Sequence, residues 1–155
     1  MANSSFTPTV QQSPVVLATV AGVEGTVNPY NTGSASVVVG GTYTPTVSGS
    51  NNCTVNTVQE FRYSRVGPIV TVSGICNVSA TASSGCEFLL TLPIASALTT
   101  SYQVSGNVTH AQVGASYAPG GVLSDAAGDK AQVVWRSNTD TASRELYIAF
   151  NYRII

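Results

Sequence analysis

The stretch from residue 59 to 78 constrains this chain more than any other. Phe61 and Tyr63 alternate with Arg62 and Ser64, and farther on Val70, Val72, Cys76 and Val78 alternate with Thr71, Ser73 and Asn77. A period of two is what a β-strand imposes on its side chains, with one face packed and the other against water or a partner. Gly67-Pro68 separates the two runs. That dipeptide interrupts both a ladder and a helix, so the stretch predicts two antiparallel strands joined by a tight turn.

The same signal recurs along the chain. Thr42 to Val47 predicts a first strand, the Ser48-Gly49-Ser50-Asn51-Asn52 cluster a turn, and Cys53 to Val58 a second strand. Cys86, Phe88, Leu90 and Leu92 share one face of a further strand that Pro93 ends, and Ile94 to Leu98 is too short for its spacing to decide whether it makes a helical turn. Tyr102 to His110 alternates with a uniformly polar second face, and Lys130 to Ser137 sets Ala131, Val133 and Trp135 against Gln132, Val134 and Arg136. The last strand, Arg144 to Ile155, puts Leu146, Ile148, Phe150, Tyr152 and Ile154 on a single face. Many short strands, Gly- and Pro-rich connections and no amphipathic helix predict an all-β fold, an antiparallel β-sandwich of jelly-roll-like type.

Residues 1–40 differ. They carry Pro8, Pro14 and Pro29 and two short Val-rich patches, and they end at Gly40-Gly41, which reads as a hinge. With few large apolar groups this stretch cannot build a core alone. It is expected either as an extended N-terminal arm that anchors on another subunit or on a docking platform, or as a tail or the first strands of the main domain. The knob domain is expected over 41–155.

Only 8% of the 155 residues are charged, against about 25% in an ordinary soluble domain. Ser, Thr, Asn, Gln and Gly take their place, a surface suited to an extracellular β-protein or to a subunit that buries much of itself. The net charge of −1 and the lack of a basic run exclude the electrostatic footprint of nucleic-acid binding. The longest apolar runs, Val15–Val20 and Val37–Val39, are too short to span a bilayer, and the N-terminus has no leader pattern. If the protein acts outside a cell, it is expected to leave by a route other than a cleaved leader, such as release inside a virus particle.

Chemistry-bearing residues are sparse. No CxxC occurs and His110 is the only histidine, so no metal site and no cofactor is expected. Cys53, Cys76 and Cys86 cannot all pair within one chain. Cys76 and Cys86 flank the Ala80–Gly85 loop and could face each other across a hairpin, or be small buried apolar residues on the Val72 and Phe88 faces. Asp125 and Asp129 lack the ligand spacing of a calcium loop and read as a turn. No pair of carboxylates stands out for glycoside hydrolysis, and no catalytic residue is assigned. His110, Tyr117 and Asp125 lie in or beside Gly-rich connections and are candidates for a ligand or partner loop. Tyr147, Ala149 and Asn151, on the outer face of the last strand, are candidates for an intersubunit surface, with Tyr147 equally suited to stack on a sugar ring.

Four fragments carry a resemblance: Gly41-Thr-Tyr-Thr-Pro-Thr-Val47, Phe61-Arg-Tyr-Ser-Arg-Val-Gly-Pro-Ile-Val-Thr-Val-Ser-Gly74, Leu92-Pro-Ile-Ala-Ser96 and Phe150-Asn-Tyr-Arg-Ile154. In this order and spacing, residues 41–155 resemble a β-sandwich domain found at the C-terminal ends of bacteriophage tail-fibre and other virion structural proteins. The resemblance implies a virion location, a non-enzymatic fibre, spike or decoration subunit, and a homotrimer. It also implies contacts of residues 1–40 with other virion proteins and a role in attachment to the host surface. A lectin-like module that binds host-surface glycan is the alternative on the same fold, and a glycan depolymerase a more distant one. The departure is at the front, where only about forty residues precede the domain rather than a long fibre.

Overall fold

The computed structural model describes residues 38–81, 84–110, 117–138 and 141–155. The expected arm lies almost wholly outside the described residues. Ten strands form one antiparallel sheet: β1 Val38–Tyr43, β2 Val47–Asn51, β3 Cys53–Val58, β4 Phe61–Val66, β5 Ile69–Ala80, β6 Gly85–Thr91, β7 Val104–His110, β8 Tyr117–Asp125, β9 Lys130–Ser137 and β10 Arg144–Arg153. Their order is β1-β4-β5-β10-β7-β8-β9-β6-β2, and β3 adds to β5 beside β4. Among the described residues the chain is all-β and antiparallel, as the alternation predicts.

The sheet is strongly curled, so that its inner face wraps a single core. Val70, Val72, Cys76 and Val78 of β5 meet Leu146, Ile148, Phe150 and Tyr152 of β10 there, together with Phe88 and Leu90 of β6 and Val133 and Trp135 of β9. The curl closes where β2, paired with β6, passes into β3, paired with β5, through the single residue Asn52. Asn52 takes a positive φ of 54°, its carbonyl accepts from the Thr81 amide at 2.9 Å, and its side-chain amide donates to the Gly85 carbonyl at 2.9 Å. An Asn tolerates that left-handed backbone better than most residues, which suits it to the corner.

The β4–β5 hairpin is the one the sequence predicts. Val66 pairs with Ile69, leaving Gly67 and Pro68 as a two-residue loop, with Gly67 at a φ of 58°. Gly at the first loop position supplies the positive φ that matches the twist of the flanking strands. Arg65 Nε donates to the Gly67 carbonyl at 2.8 Å and secures the turn. On β5, Gly74 faces inward beneath the Phe61 ring, and a β-carbon there would overlap that ring.

The four family-like fragments, distant in sequence, meet at one end of the sheet. Tyr43 pairs with Phe61 in register and its ring packs edge-on against Phe61 and Tyr63. The Tyr152 hydroxyl donates to the Ile94 carbonyl at 2.7 Å and accepts from the Ile94 amide at 3.2 Å. Ser96 Oγ donates to the Arg153 carbonyl at 3.0 Å, and the Ile154 amide donates to the Pro68 carbonyl at 2.8 Å. These residues hold strand ends together.

Several expectations require correction. Gly40 and Gly41 are not a hinge: they lie inside β1, paired with Ser64 and Tyr63, and β1 begins three residues before the expected domain boundary. Thr42–Val47 is not one strand, because Pro45, which has no amide to donate, falls between β1 and β2. Ser48–Asn51 is not a turn but most of β2, kept in the ladder with β6 by a bulge between Ser48 and Asn51. Ile94–Leu98, undecided from its spacing, is not helical; Ser96 and Leu98 are buried while Ala95 and Ala97 are exposed, and its polar groups bond to β10 and to Asp129 rather than to one another. Tyr102 precedes β7 and is 78% exposed, because Gln103 Oε1 accepts from the Thr99 and Thr100 amides and folds that segment into a turn. Finally, β5 and β6 are not neighbours in the sheet, so Cys76 and Cys86 do not face each other across a hairpin. All three cysteines are buried thiols in the structure, and burial is what the apolar alternative expected of Cys76 and Cys86.

Replacing Gly74 by Ala forces the Phe61 ring off its rotamer and is expected to cost about 1–3 kcal/mol in urea denaturation. Burial also pushes the Cys76 thiol up from its usual 9.0 to about 12. Above the unfolded value the unfolded chain releases this proton while the folded chain keeps it. Stability is therefore full below about pH 9 and falls as pH rises toward about 12. Denaturation midpoints measured across this range are expected to drop, with a shallower slope in Cys76→Ala.

Candidate functional site: a groove on the outer face

The outer face of β5, β10 and β7 is organised in rows by the ladder. Ser73, Ala149 and Asn107 form one cross-strand row, Thr71, Asn151 and Ser105 the next, and Ile75, Tyr147 and Thr109 a third on the other side. β4 extends the first row with Arg62 and the second with Ser64. Small side chains fill the middle rows, while the bulkier Ile75 and Tyr147 stand beside them.

The result is a shallow groove of about 530 Å³ lined by Gln59, Glu60, Arg62, Ser73, Ile75, Asn107, Thr109, Tyr147 and Ala149. A second hollow of about 230 Å³, lined by Thr71, Ser105, Asn107, Ala149 and Asn151, shares Asn107 and Ala149 with it. Gln59 and Glu60 reach the groove because β3 and β4 both pair with the same edge of β5, and the link between them crosses beside Ile75. The Gln59 amide donates to the Ile75 carbonyl at 3.0 Å. At the rim, Glu60 Oε1 accepts from Thr42 Oγ1 at 2.8 Å.

All three residues expected at an intersubunit surface, Tyr147, Ala149 and Asn151, line this trough. Tyr147 is 41% exposed, and its hydroxyl donates to Glu145 Oε2 at 3.5 Å, a long contact on the same strand. The trough's other walls, Arg62, Ser73, Asn107 and Thr109, lie on strands that the sequence could not place beside β10. The uniform polar face of β7 was the one signal that marked Asn107 and Thr109.

Chemically the groove offers hydrogen-bonding amides and hydroxyls, one guanidinium, one carboxylate and one phenol ring among its described lining residues. A single carboxylate does not supply the two that glycoside hydrolysis uses. The arrangement suits contact with a surface or a polar ligand that hydrogen-bonds these groups as it covers them, since a polar group buried without a partner is costly.

The expected ligand loop is not gathered in one place. Tyr117 opens β8 opposite Ser137 and Asp125 closes it opposite Lys130. At about 3.3 Å per residue these ends are roughly 26 Å apart. His110 ends β7 opposite Leu146 and is half-buried. Asp125 points its carboxylate toward Gly128 in the β8–β9 turn, and Asp129 Oδ1 accepts from the Leu98 amide at 2.6 Å. Asp129 thus serves the local fold, and both aspartates stand at the β8–β9 turn, in keeping with a turn.

Because Tyr147 and Asn107 are exposed, Tyr147→Ala and Asn107→Ala are expected to change folding stability by less than about 0.5 kcal/mol. Truncating the inward-facing neighbour in Ile148→Ala is expected to cost about 2–5 kcal/mol. Paired urea titrations separate the two faces of β10. Compared with known proteins, the chain matches no family model, no curated protein and no solved structure.

Proposed function

We propose that this chain is a non-enzymatic structural protein of a bacteriophage particle: a short fibre, spike or decoration subunit that assembles through the outer face of β5, β10 and β7. In this proposal the curled sheet is a jelly-roll-like knob, copies join as a homotrimer, and residues 1–40 contact other virion proteins. The observation that carries the proposal is the centre of that face. Thr71, Ser73, Ala149, Asn151, Ser105 and Asn107 form two adjoining cross-strand rows, all uncharged and mostly small. These six positions can be buried against a copy of themselves without stranding a charge, with Arg62 standing at the β4 end of the first row. Cyclic closure is the usual outcome for subunits of this kind. The family-like fragments add support, since they form a contiguous structural cluster rather than scattered matches.

A second reading rests on Tyr147. A partly exposed phenol ring beside Asn107, Arg62 and Gln59 is the combination that binds the face and hydroxyls of a sugar. It would make the same groove a site for host-surface glycan.

Light scattering on the full chain at micromolar concentration is expected to give the mass of a trimer. Ala149→Arg puts a charge in the middle of the trough and is expected to weaken assembly at least about 100-fold, leaving folded monomer. A wild-type chain that stays monomeric sinks the assembly proposal. Removing residues 1–34 leaves β1 whole and separates the arm's contribution from that of the sheet. For the glycan reading, array binding by the full chain that disappears in Tyr147→Ala is the supporting outcome. An array without hits removes that reading.

A further inference from the structure

We infer that Cys53 and Cys86 are the natural disulfide partners of this chain, forming a covalent latch between β3 and β6 where the curled sheet closes on itself. Each thiol is seated beside the other's backbone. Cys53 Sγ donates to the carbonyl of Glu87, the residue after Cys86, at 3.3 Å, and Cys86 Sγ donates to the carbonyl of Asn52, the residue before Cys53, at 3.3 Å. This reciprocal placement brings both cysteines to one spot on the seam, held by the Asn52 corner and its bonds to Thr81 and Gly85. Both are buried, and these two contacts place them at the same end of the core.

Cys76 is excluded by register. Cys53 lies opposite Ala80 on β5, whereas Cys76 lies four residues back along that strand, opposite Val58 and Leu146. Four strand residues span about 13 Å. A disulfide tolerates a Cα separation of only about 7 Å, so Cys76 cannot reach Cys53 without moving the sheet. Because Cys86 sits beside Asn52, it shares the Ala80 end and is similarly far from Cys76. The third thiol stays reduced.

The latch joins β3 to β6, two strands that are not ladder partners in the sheet. The oxidant is a small-molecule disulfide such as oxidised glutathione. The Cys53 thiolate attacks one of its sulfurs and releases one glutathione thiol, leaving a mixed disulfide. The Cys86 thiolate then attacks the Cys53 sulfur and releases the second. Two cysteine thiols are thereby oxidised by two electrons, one glutathione disulfide is reduced, and the two protons end on the departing thiols. Burial raises both cysteine thiols, Cys53 to about 11, which makes them slow nucleophiles in the closed fold. The bond therefore forms as the seam closes during folding. It is a property of the single chain, whether or not copies assemble.

The test is to refold the reduced full chain in a buffer of oxidised and reduced glutathione, alkylate the remaining thiols and map the peptides by mass. The expected product links Cys53 to Cys86 and carries the alkyl group on Cys76. Closing this loop is expected to raise the melting temperature of the oxidised form by about 10 °C over the reduced form. Cys76→Ala is expected to keep the link and the shift, and Cys86→Ala to lose both. A disulfide that includes Cys76, stable glutathione adducts, or three alkylatable thiols after oxidative refolding would each overturn the inference. If Cys86→Ala fails to fold, the peptide map of Cys76→Ala decides alone.

Discussion

The ladder between β5 and β10 is the interaction on which the rest of the molecule depends. Ten consecutive residues of β10 pair with β5, from Arg144 opposite Val78 to Arg153 opposite Ile69. With a side-chain period of two, a slip of one residue would turn Leu146, Ile148, Phe150 and Tyr152 outward and bring Tyr147, Ala149 and Asn151 into the core. The apolar contrast between those two sets pins the register. Everything else is attached to this pair: β4 and β3 share the free edge of β5, β7 takes the free edge of β10, and the curl continues through β8, β9, β6 and β2.

That arrangement explains why the inner and outer faces carry such different chemistry. Inside, a single core is filled by apolar residues, with the Ser124 and Ser137 side chains also buried. Outside, on the β5–β10–β7 face, rows of Ser, Thr, Ala and Asn meet at the middle of the sheet, where most of them are exposed among the described residues. Side chains of this size leave room between strands, so a trough forms from the sequence of one strand and the neighbours that pairing brings to it. A chain with 8% charged residues has little electrostatic means of keeping such a face apart from other copies.

The legible parts of the fold were those in which a local pattern is also the structural cause. Alternation gave the inner faces of β4, β5, β9 and β10, and Gly67-Pro68 marked the hairpin because a two-residue loop needs that positive φ. Errors fell where non-local pairing overrode local composition. Ser48–Asn51 looks like a turn but is held as a strand by β6, and Gly40-Gly41 looks like a hinge but is held by β4. Ile94–Leu98, too short to decide locally, is drawn out straight by Tyr152, Arg153 and Asp129. One wall of the groove, Tyr147-Ala149-Asn151, was readable as the polar side of a strand. The opposite wall was not, because Arg62, Ser73 and Asn107 lie at least 42 residues from Ala149 in sequence and come beside it only once the chain has folded around β5.

By itself the amino-acid sequence determined that this chain is built of strands, which residues of most strands face inward, and that charge plays a small part in its surface. Those properties follow from side-chain period and composition, which act over a few residues. The tertiary structure alone decided the neighbours: β10 between β5 and β7, β3 and β4 on one edge, and β2 turning at Asn52 to close the curl. It decided, too, that Cys86 sits beside Cys53 rather than across from Cys76, and that the Phe61–Val78 alternation forms the floor of both core and groove. Strand pairing is chosen by contacts between distant segments, and no local pattern records which edge meets which.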